Sequence, residues 1–378
     1  MAIDRRHFLI GTAMTLASAQ ASRAFAGVLD EDLQFGITSG DLIAACRRPD
    51  GTYSVVILSV DGSILRELPL EGRGHDIALY QAGGEAVVFA RRPGSFALAF
   101  DIHGRREPVL FTTPANRHFY GHGTFSRDGR LLYATEHDNG TRAGVIGVYD
   151  ATGGYRRIGE FPTYGVGPHE AILLADGKTL AVANGGIETH VEPGMTGREK
   201  LNVETMQPSL AFVDSSSGRL ISQHMQSKGL HKLSVRHLAQ DASGAIWFGC
   251  QWEGAAGDTP ELIGCAGIDT PMRIIEPANP MGARLAGYIG SVAISGDGRL
   301  IAASAPRAGR IVYVDTERRA IVGETMLMDS CAIIAASEKS FAMTSGMGIV
   351  QVDAPDHTHL STMTFPGRSF DNHVRMIT

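Results

Sequence analysis

Apolar residues come in short runs along this chain, alternating with polar ones or unbroken, and no segment sustains the 3.6-residue period of an amphipathic helix. LLYATE, TLAVAN, AIWFGC, LIAASA and SFAMTS are of this kind. Their length and their β-branched and aromatic content predict strands. The runs recur in a unit of roughly 40–65 residues: a strand, a D-G-like turn, an apolar strand, then a strand that ends in an apolar residue and Asp. The closing Asp appears at Asp61, Asp101, Asp150, Asp214, Asp269, Asp315 and Asp353, in contexts such as LAFDI, GVYDA and VYVDT. A carboxylate at a strand end accepts N–H bonds from the next turn, so these seven read as structural.

Seven units of four antiparallel strands predict an all-β fold, a seven-bladed β-propeller. Residues 34–47, 52–60 and 64–70 read as strands two, three and four of a blade. The chain ends on His373-Val374-Arg375-Met376-Ile377, a lone first strand. That strand is expected to join the first three, which closes the ring and leaves no open sheet edge. Two long insertions, at about 185–208 and 253–287, are expected as loops on one rim.

The strand before each D-G-like turn carries its own marker. These are Gly74-His75-Asp76, Gly121-His122-Gly123, Pro168-His169-Glu170, Arg236-His237-Leu238, Gly290-Ser291-Val292, Ser330-Cys331-Ala332 and Asn372-His373-Val374. First strands line the central channel of a propeller. His75, His122, His169, His237, Ser291, Cys331 and His373 are therefore expected around one axis. Imidazole suits iron, copper and zinc, and thiolate suits the same ions, so the histidines and Cys331 are candidate ligands for a transition metal, iron or copper. A hydrated polar channel wall is the competing reading. One ion cannot meet all seven groups of a wide channel. Asp76 and Glu170 follow ring histidines directly, and strand alternation points them away from the ring. They could orient imidazoles, but a packing or solvated role is the expectation.

Residues 1–26 are expected to be an export signal and 27–378 one propeller domain. Arg5-Arg6-His7-Phe8-Leu9 is a twin-arginine signature, an apolar stretch runs from Leu9 to Ala21, and Ala24-Phe25-Ala26 is an A-x-A cleavage site. The protein is thus expected in the periplasm, exported folded, a route often used by cofactor-loaded proteins. The net charge is −6, and about −8 after cleavage (31 basic minus 39 acidic). With no Lys/Arg-rich run, this argues against a nucleic-acid partner. No later run reaches the roughly 18 apolar residues of a membrane span.

Other chemistry is sparser. Cys250 and Cys265 could pair in an oxidising compartment. Glu188 and His190 in the first insertion could add ligands or an acid/base pair over the channel mouth, although a solvated loop is the simpler reading. Glu136-His137-Asp138 ends a second strand expected to point to the same rim, and His118 is expected near His122. Trp247 and Trp252 read as packing groups. No G-x-S-x-G, Walker loop or G-x-G-x-x-G before a helix is present. Two further function classes stay open: an enzyme (hydrolase, lyase or oxidoreductase) using Glu188, His190 and Glu136 at the channel mouth, and a protein-interaction platform built on the insertions.

The chain resembles a bacterial, twin-arginine-exported propeller family known as domain of unknown function 1513. RRHFLIG, FYGHGTFSRDGRLLYATEHD, GVIGVYDA, GVGPHEAILLADGKTLAVANGGIETH, REKLNVETMQPSL, SVRHLAQDASGAIWFGCQ and YIGSVAISGDGRLIAASAPRAG carry the resemblance. Members are often encoded beside imelysin-type periplasmic iron-uptake proteins. The resemblance therefore implies a role in iron or other metal handling, with an imelysin-type partner. The layout is also similar to the histidine-lined propeller of nitrous oxide reductase, which holds a copper cluster. Ser291 and Cys331 depart from that pattern and no cupredoxin-like segment is read here, which argues against reduction of nitrous oxide.

Overall fold

A computed structural model of the protein describes residues 40–189, 199–277, 280–356 and 358–378. The twin-arginine segment, its cleavage site, residues 34–39 and His190 lie outside them. The described residues form 28 strands, β1–β28 in chain order, in seven four-stranded antiparallel sheets. Six sheets use consecutive strands. The seventh has the order β28-β1-β2-β3, with β28 at Ser369–Ile377, β1 at Asp41–Arg47, β2 at Tyr53–Leu58 and β3 at Ile64–Leu70. The C-terminal strand therefore closes the ring, as the repeat predicts.

The first strands of the blades are β4 (Gly74–Tyr80), β8 (Arg117–Phe125), β12 (Pro168–Leu173), β16 (Leu233–Gln240), β20 (Ser291–Ile294), β24 (Ser330–Ala335) and β28. They touch one another in a closed cycle, from β4 to β8 and onward to β28 and back to β4. They are the wall of the central channel. Second strands such as β5 (Glu85–Ala90), β13 (Thr179–Asn184) and β21 (Leu300–Ala305) are buried along nearly their whole length. Each blade is covered on both faces by its neighbours, so these strands read as unbroken apolar runs rather than alternating ones. The outermost β11 (Arg156–Pro162), RRIGEFP, is largely exposed.

The D-G turns and closing aspartates behave as their chemistry requires. Gly129 sits at φ 69° and donates its N–H to Ser126 O across the turn. Asp101, Asp150, Asp214 and Asp315 each accept a backbone N–H from the residues that follow. One expected insertion needs correction. The segment 253–287 is not a single loop, because β18 (Ile263–Gly267) and β19 (Thr270–Ile274) lie inside it and complete their blade. What remains is a connection before β18 and another after β19. Antiparallel order puts both on the same rim as the 185–208 segment. Cys250 and Cys265 are free and buried. Cys265 faces Trp247 in the ladder, while Cys250 N–H donates to Leu262 O. The thiols are thus offset by three residues along β18, too far for a disulfide. Among the described residues no helix is long and apolar enough to cross a membrane.

An ion cluster locks the closure. Glu67 on β3 accepts Arg368 Nη1 at 2.9 Å, Arg48 Nε at 2.7 Å and Ser54 Oγ at 2.7 Å. Burial alone would raise its pKa, but these partners outweigh it and hold it at about 2. Its folded value lies below the unfolded one, so the stabilisation is complete above about pH 4.5 and fades as pH falls toward 2. Glu67→Gln is expected to cost about 2–3 kcal/mol at pH 7. Urea unfolding at stepped pH should show that difference shrinking below pH 4.5. A gap that stays constant down to pH 2 would contradict the clamp.

Candidate metal centre

Five histidines from five blades meet in the channel. Ring centroids lie 4.8 Å apart for His75–His122, 4.7 Å for His122–His169, 4.7 Å for His169–His237, 5.0 Å for His237–His373 and 4.8 Å for His373–His75. His122 also reaches His373 at 4.6 Å across the group. The seven-slot expectation thus contracts to a packed pentad. Ser291 and Cys331 occupy the same slot in their strands, and Cys331 is not among the described residues close enough to share an ion. Cys331 Sγ donates instead to Asp329 O at 3.2 Å, and burial pushes its thiol pKa up, away from the thiolate a metal needs.

The local cause of this convergence is a β-bulge. The ladder register shifts at the marker position in β4, β8, β12, β16, β24 and β28. The exception is β20, whose pairing is regular from Ser291↔Ser304 onward. A bulge re-aims side chains and breaks strict alternation. Asp76 and Glu170 therefore do not point to solvent or to simple packing, as alternation predicts. Both are buried, and each serves the histidine of the next blade. Asp76 Oδ2 bonds His122 Nδ1 at 3.1 Å, and Glu170 Oε2 lies 3.6 Å from His237 Nδ1. Asp371 on β28 completes the pattern, bonding His75 Nδ1 at 2.7 Å. His169 has no such carboxylate, because Gly123 stands at the corresponding place on β8. Its Nδ1 faces Arg236 Nη1 at 3.4 Å. Sequence reasoning missed Asp371 and Arg236. The available signal was a carboxylate beside each of three ring histidines.

Gly121 makes room for the pentad. Its φ is 101°, in the left-handed region, and a Cβ there would stand 2.8 Å from His75 Cδ2. Carboxylates bond Nδ1 of His75 and His122, and Glu170 stands 3.6 Å from that of His237. The Nε2 atoms of His122, His169, His237 and His373 are buried without a hydrogen-bond partner. Each such atom costs roughly 1–3 kcal/mol, so four together demand a chemical reason. Burial pushes the pKa of His75 down to about 3, against the pull of Asp371, and also lowers His169, His237 and His373. Neutral imidazoles are the ligand form. Asp371 is held as a carboxylate: burial opposes this, but His75, Arg91 and Arg73 outweigh it.

Donor atoms of His75, His122 and His169 lie within 4.8 Å of one another, as do those of His122, His237 and His373, and those of Asp76, His122 and Glu170. Tetrahedral metal–nitrogen bonds of ~2.0–2.1 Å would set donors about 3.4 Å apart, so small ring rotations close either triad. The residues fit a transition metal. Imidazoles held by carboxylates through Nδ1 are the arrangement that fixes tautomer and raises ligand basicity at metal sites.

The other candidates are elsewhere. Glu136, on β9 (Leu131–Asp138), turns into its own blade, where it accepts Tyr149 Oη at 2.5 Å and Arg157 Nη2 at 2.9 Å, so it does not serve the channel mouth. Glu188 accepts Arg142 Nη1 at 2.8 Å in a partly exposed pair. His118 packs against His137 and Tyr120, with centroids at 5.1 and 5.6 Å, rather than joining His122. Trp247 is buried, with Nε1 donating to Asp241, which suits packing.

No curated protein matches the chain. Three solved structures share its fold. Hydrazine synthase of Kuenenia stuttgartiensis is similar at 15% identity and TM-score 0.63, covering 88% of this chain and 99% of that one. A functionally unknown protein from Desulfotomaculum acetoxidans is similar at 10% identity and TM-score 0.60, covering 89% and 99%. The β-propeller domain of Cps50 (Swd1) from Myceliophteria thermophila is similar at 12% identity and TM-score 0.55, covering 88% and 96%. At these identities the likeness is one of architecture alone. A family model spans residues 68–377, most of the chain including every ring position, so the protein belongs to the family described as protein of unknown function (DUF1513).

Proposed function

We propose that this protein is a periplasmic metal-binding propeller, exported by the twin-arginine route, that serves iron or copper acquisition or homeostasis. The observation that carries the reading is the packed cluster of buried imidazoles, four of which have an Nε2 without a hydrogen-bond partner. Imidazole-rich donor sets suit iron, copper and zinc and disfavour hard calcium or magnesium. The Arg5-Arg6 signature supports export after folding, when a metal can already be in place. The link to iron, and to an imelysin-type partner, rests on the family resemblance.

Elemental analysis of protein recovered from the periplasm tests the reading. One or two iron or copper ions per chain are expected, because the two histidine triads share His122. After chelation, the same metal added at 100–1,000 times its dissociation constant should stabilise the fold by about 2.7–4.1 kcal/mol. Protein free of transition metal, with a melting temperature unmoved by added Fe²⁺ or Cu²⁺, would defeat it.

A further inference from the structure

The two ends of the channel differ in chemistry. On the side of the D-G turns, a cavity of about 380 Å³ has mostly apolar lining residues, such as Ile77, Leu173, Leu238, Ile294 and Ile333, joined by Thr124, Gln240, Glu170 and Arg375, and it reaches His237 and His373. Glu170 there already accepts the Leu238 N–H at 2.9 Å and Arg375 is cationic, so this end offers little to a hydrated cation.

The opposite end is built from arginine and tyrosine. Arg236, beside His237 on β16, is 7% exposed. Its Nη2 lies 3.3 Å from Glu253 Oε1, and its Nε is buried without a hydrogen-bond partner. Arg92, Glu253, Tyr288 and Tyr120 surround its guanidinium. Arg92 lies over the Tyr120 ring at 5.2 Å and Arg307 over the Tyr288 ring at 5.0 Å. Asn372, next to His373, donates to Tyr288 Oη at 2.8 Å. Among the described residues, the buried carboxylates of this end are Asp371 and Glu253, with Asp329 exposed just before β24. Asp371 is held by Arg73 and Arg91, and Glu253 is shared by Arg236 and Lys200. Arg307 adds to that excess. A chain with net charge −6 thus keeps a cationic entrance beside the pentad.

A free cation approaching the histidines meets repulsion at one end and a mostly apolar wall that carries Arg375 at the other. A carboxylate-bearing species meets neither, and guanidinium forks bind carboxylates through paired hydrogen bonds. We propose that the arginine-lined end of the channel binds a small carboxylate anion, and that metal reaches the histidines as the anionic chelate of such a ligand. The first half of this stands on the entrance alone. The second rests on the metal reading above.

Citrate is the probe, titrated by calorimetry into the metal-free full chain. Wild type is expected to bind it, with affinity falling as salt rises. Arg236→Gln should weaken binding at least tenfold. Arg307→Ala, on an exposed side chain, should weaken it several-fold with an unchanged melting temperature. Copper(II) citrate should then load wild type faster than copper(II) in a non-coordinating buffer, and Arg307→Ala should narrow that difference. No citrate binding at millimolar concentration, or equal binding by wild type and both variants, overturns the anion site. Loading from the free ion as fast as from the chelate overturns the delivery route. Citrate binding with no metal uptake from either source leaves the anion site standing and removes the metal reading.

Discussion

His122→Ala is expected to empty the metal centre and leave the propeller folded. Among the described residues three groups can hold an ion, and His122 alone belongs to all of them. It touches His75, His169, His237 and His373, with centroids between 4.6 and 5.8 Å, so its loss opens every triad at once. The fold should survive. Asp76, the carboxylate it leaves behind, keeps Arg375 Nη2 at 2.6 Å and the backbone N–H of Ile77. The remaining penalty is a buried cavity, on the order of 1–3 kcal/mol. Metal per chain should drop from one or two ions to below a tenth, with a cooperative melt retained. Cys331→Ser is the matching control, because the thiol lies outside the groups, and its metal content should equal that of wild type. A His122→Ala protein that keeps its full complement of metal would refute the pentad as the binding site.

Removing residues 369–378 is expected to abolish the cooperative fold. This deletion takes away β28, the inner strand of the closing blade. It exposes the ladder edge of β1 to the channel and to other chains, where unpaired strand edges aggregate. It also removes Phe370 and Val374 from the core, Asp371 from between Arg73, Arg91 and His75, and His373 from the pentad. Phe370, 1% exposed, measures the effect in graded form: Phe370→Ala should cost about 3–5 kcal/mol. Circular dichroism melts and light scattering would register the truncated chain as aggregated, without a sharp transition. A monomeric truncated chain melting within a few degrees of wild type would show that closure by β28 is dispensable.

The blades were legible because a blade is a local object. Its turns need Asp and Gly at fixed places, and its apolar runs follow from burial on both faces. The slot that carries His75, His122, His169, His237 and His373 was legible for the same reason. The role of their neighbours was not. Period-2 alternation sends Asp76 and Glu170 away from the channel, and the bulges reverse that. Nothing in local spacing reveals a bulge, because it is decided by how the inner strand fits between two adjacent blades. Cys331 shows the opposite error: the right slot, with its short side chain turned to Asp329 O. Glu136 looked like a rim acid but lies opposite Val145 in the ladder, with its carboxylate on Tyr149 and Arg157.

The amino-acid pattern by itself determined the seven blades, the closing role of the last strand and the slot that faces the axis, because each follows from turn chemistry and burial within about fifty residues of chain. Tertiary structure alone decided that five of the seven slots collapse into one cluster, that Asp371 and Asp76 each hold the imidazole of the following blade while Glu170 stands beside that of His237, and that Arg236 lies at one end of it. Those contacts join residues up to 296 positions apart, as His75 and Asp371 are. Only closing the ring brings such pairs within reach of a hydrogen bond.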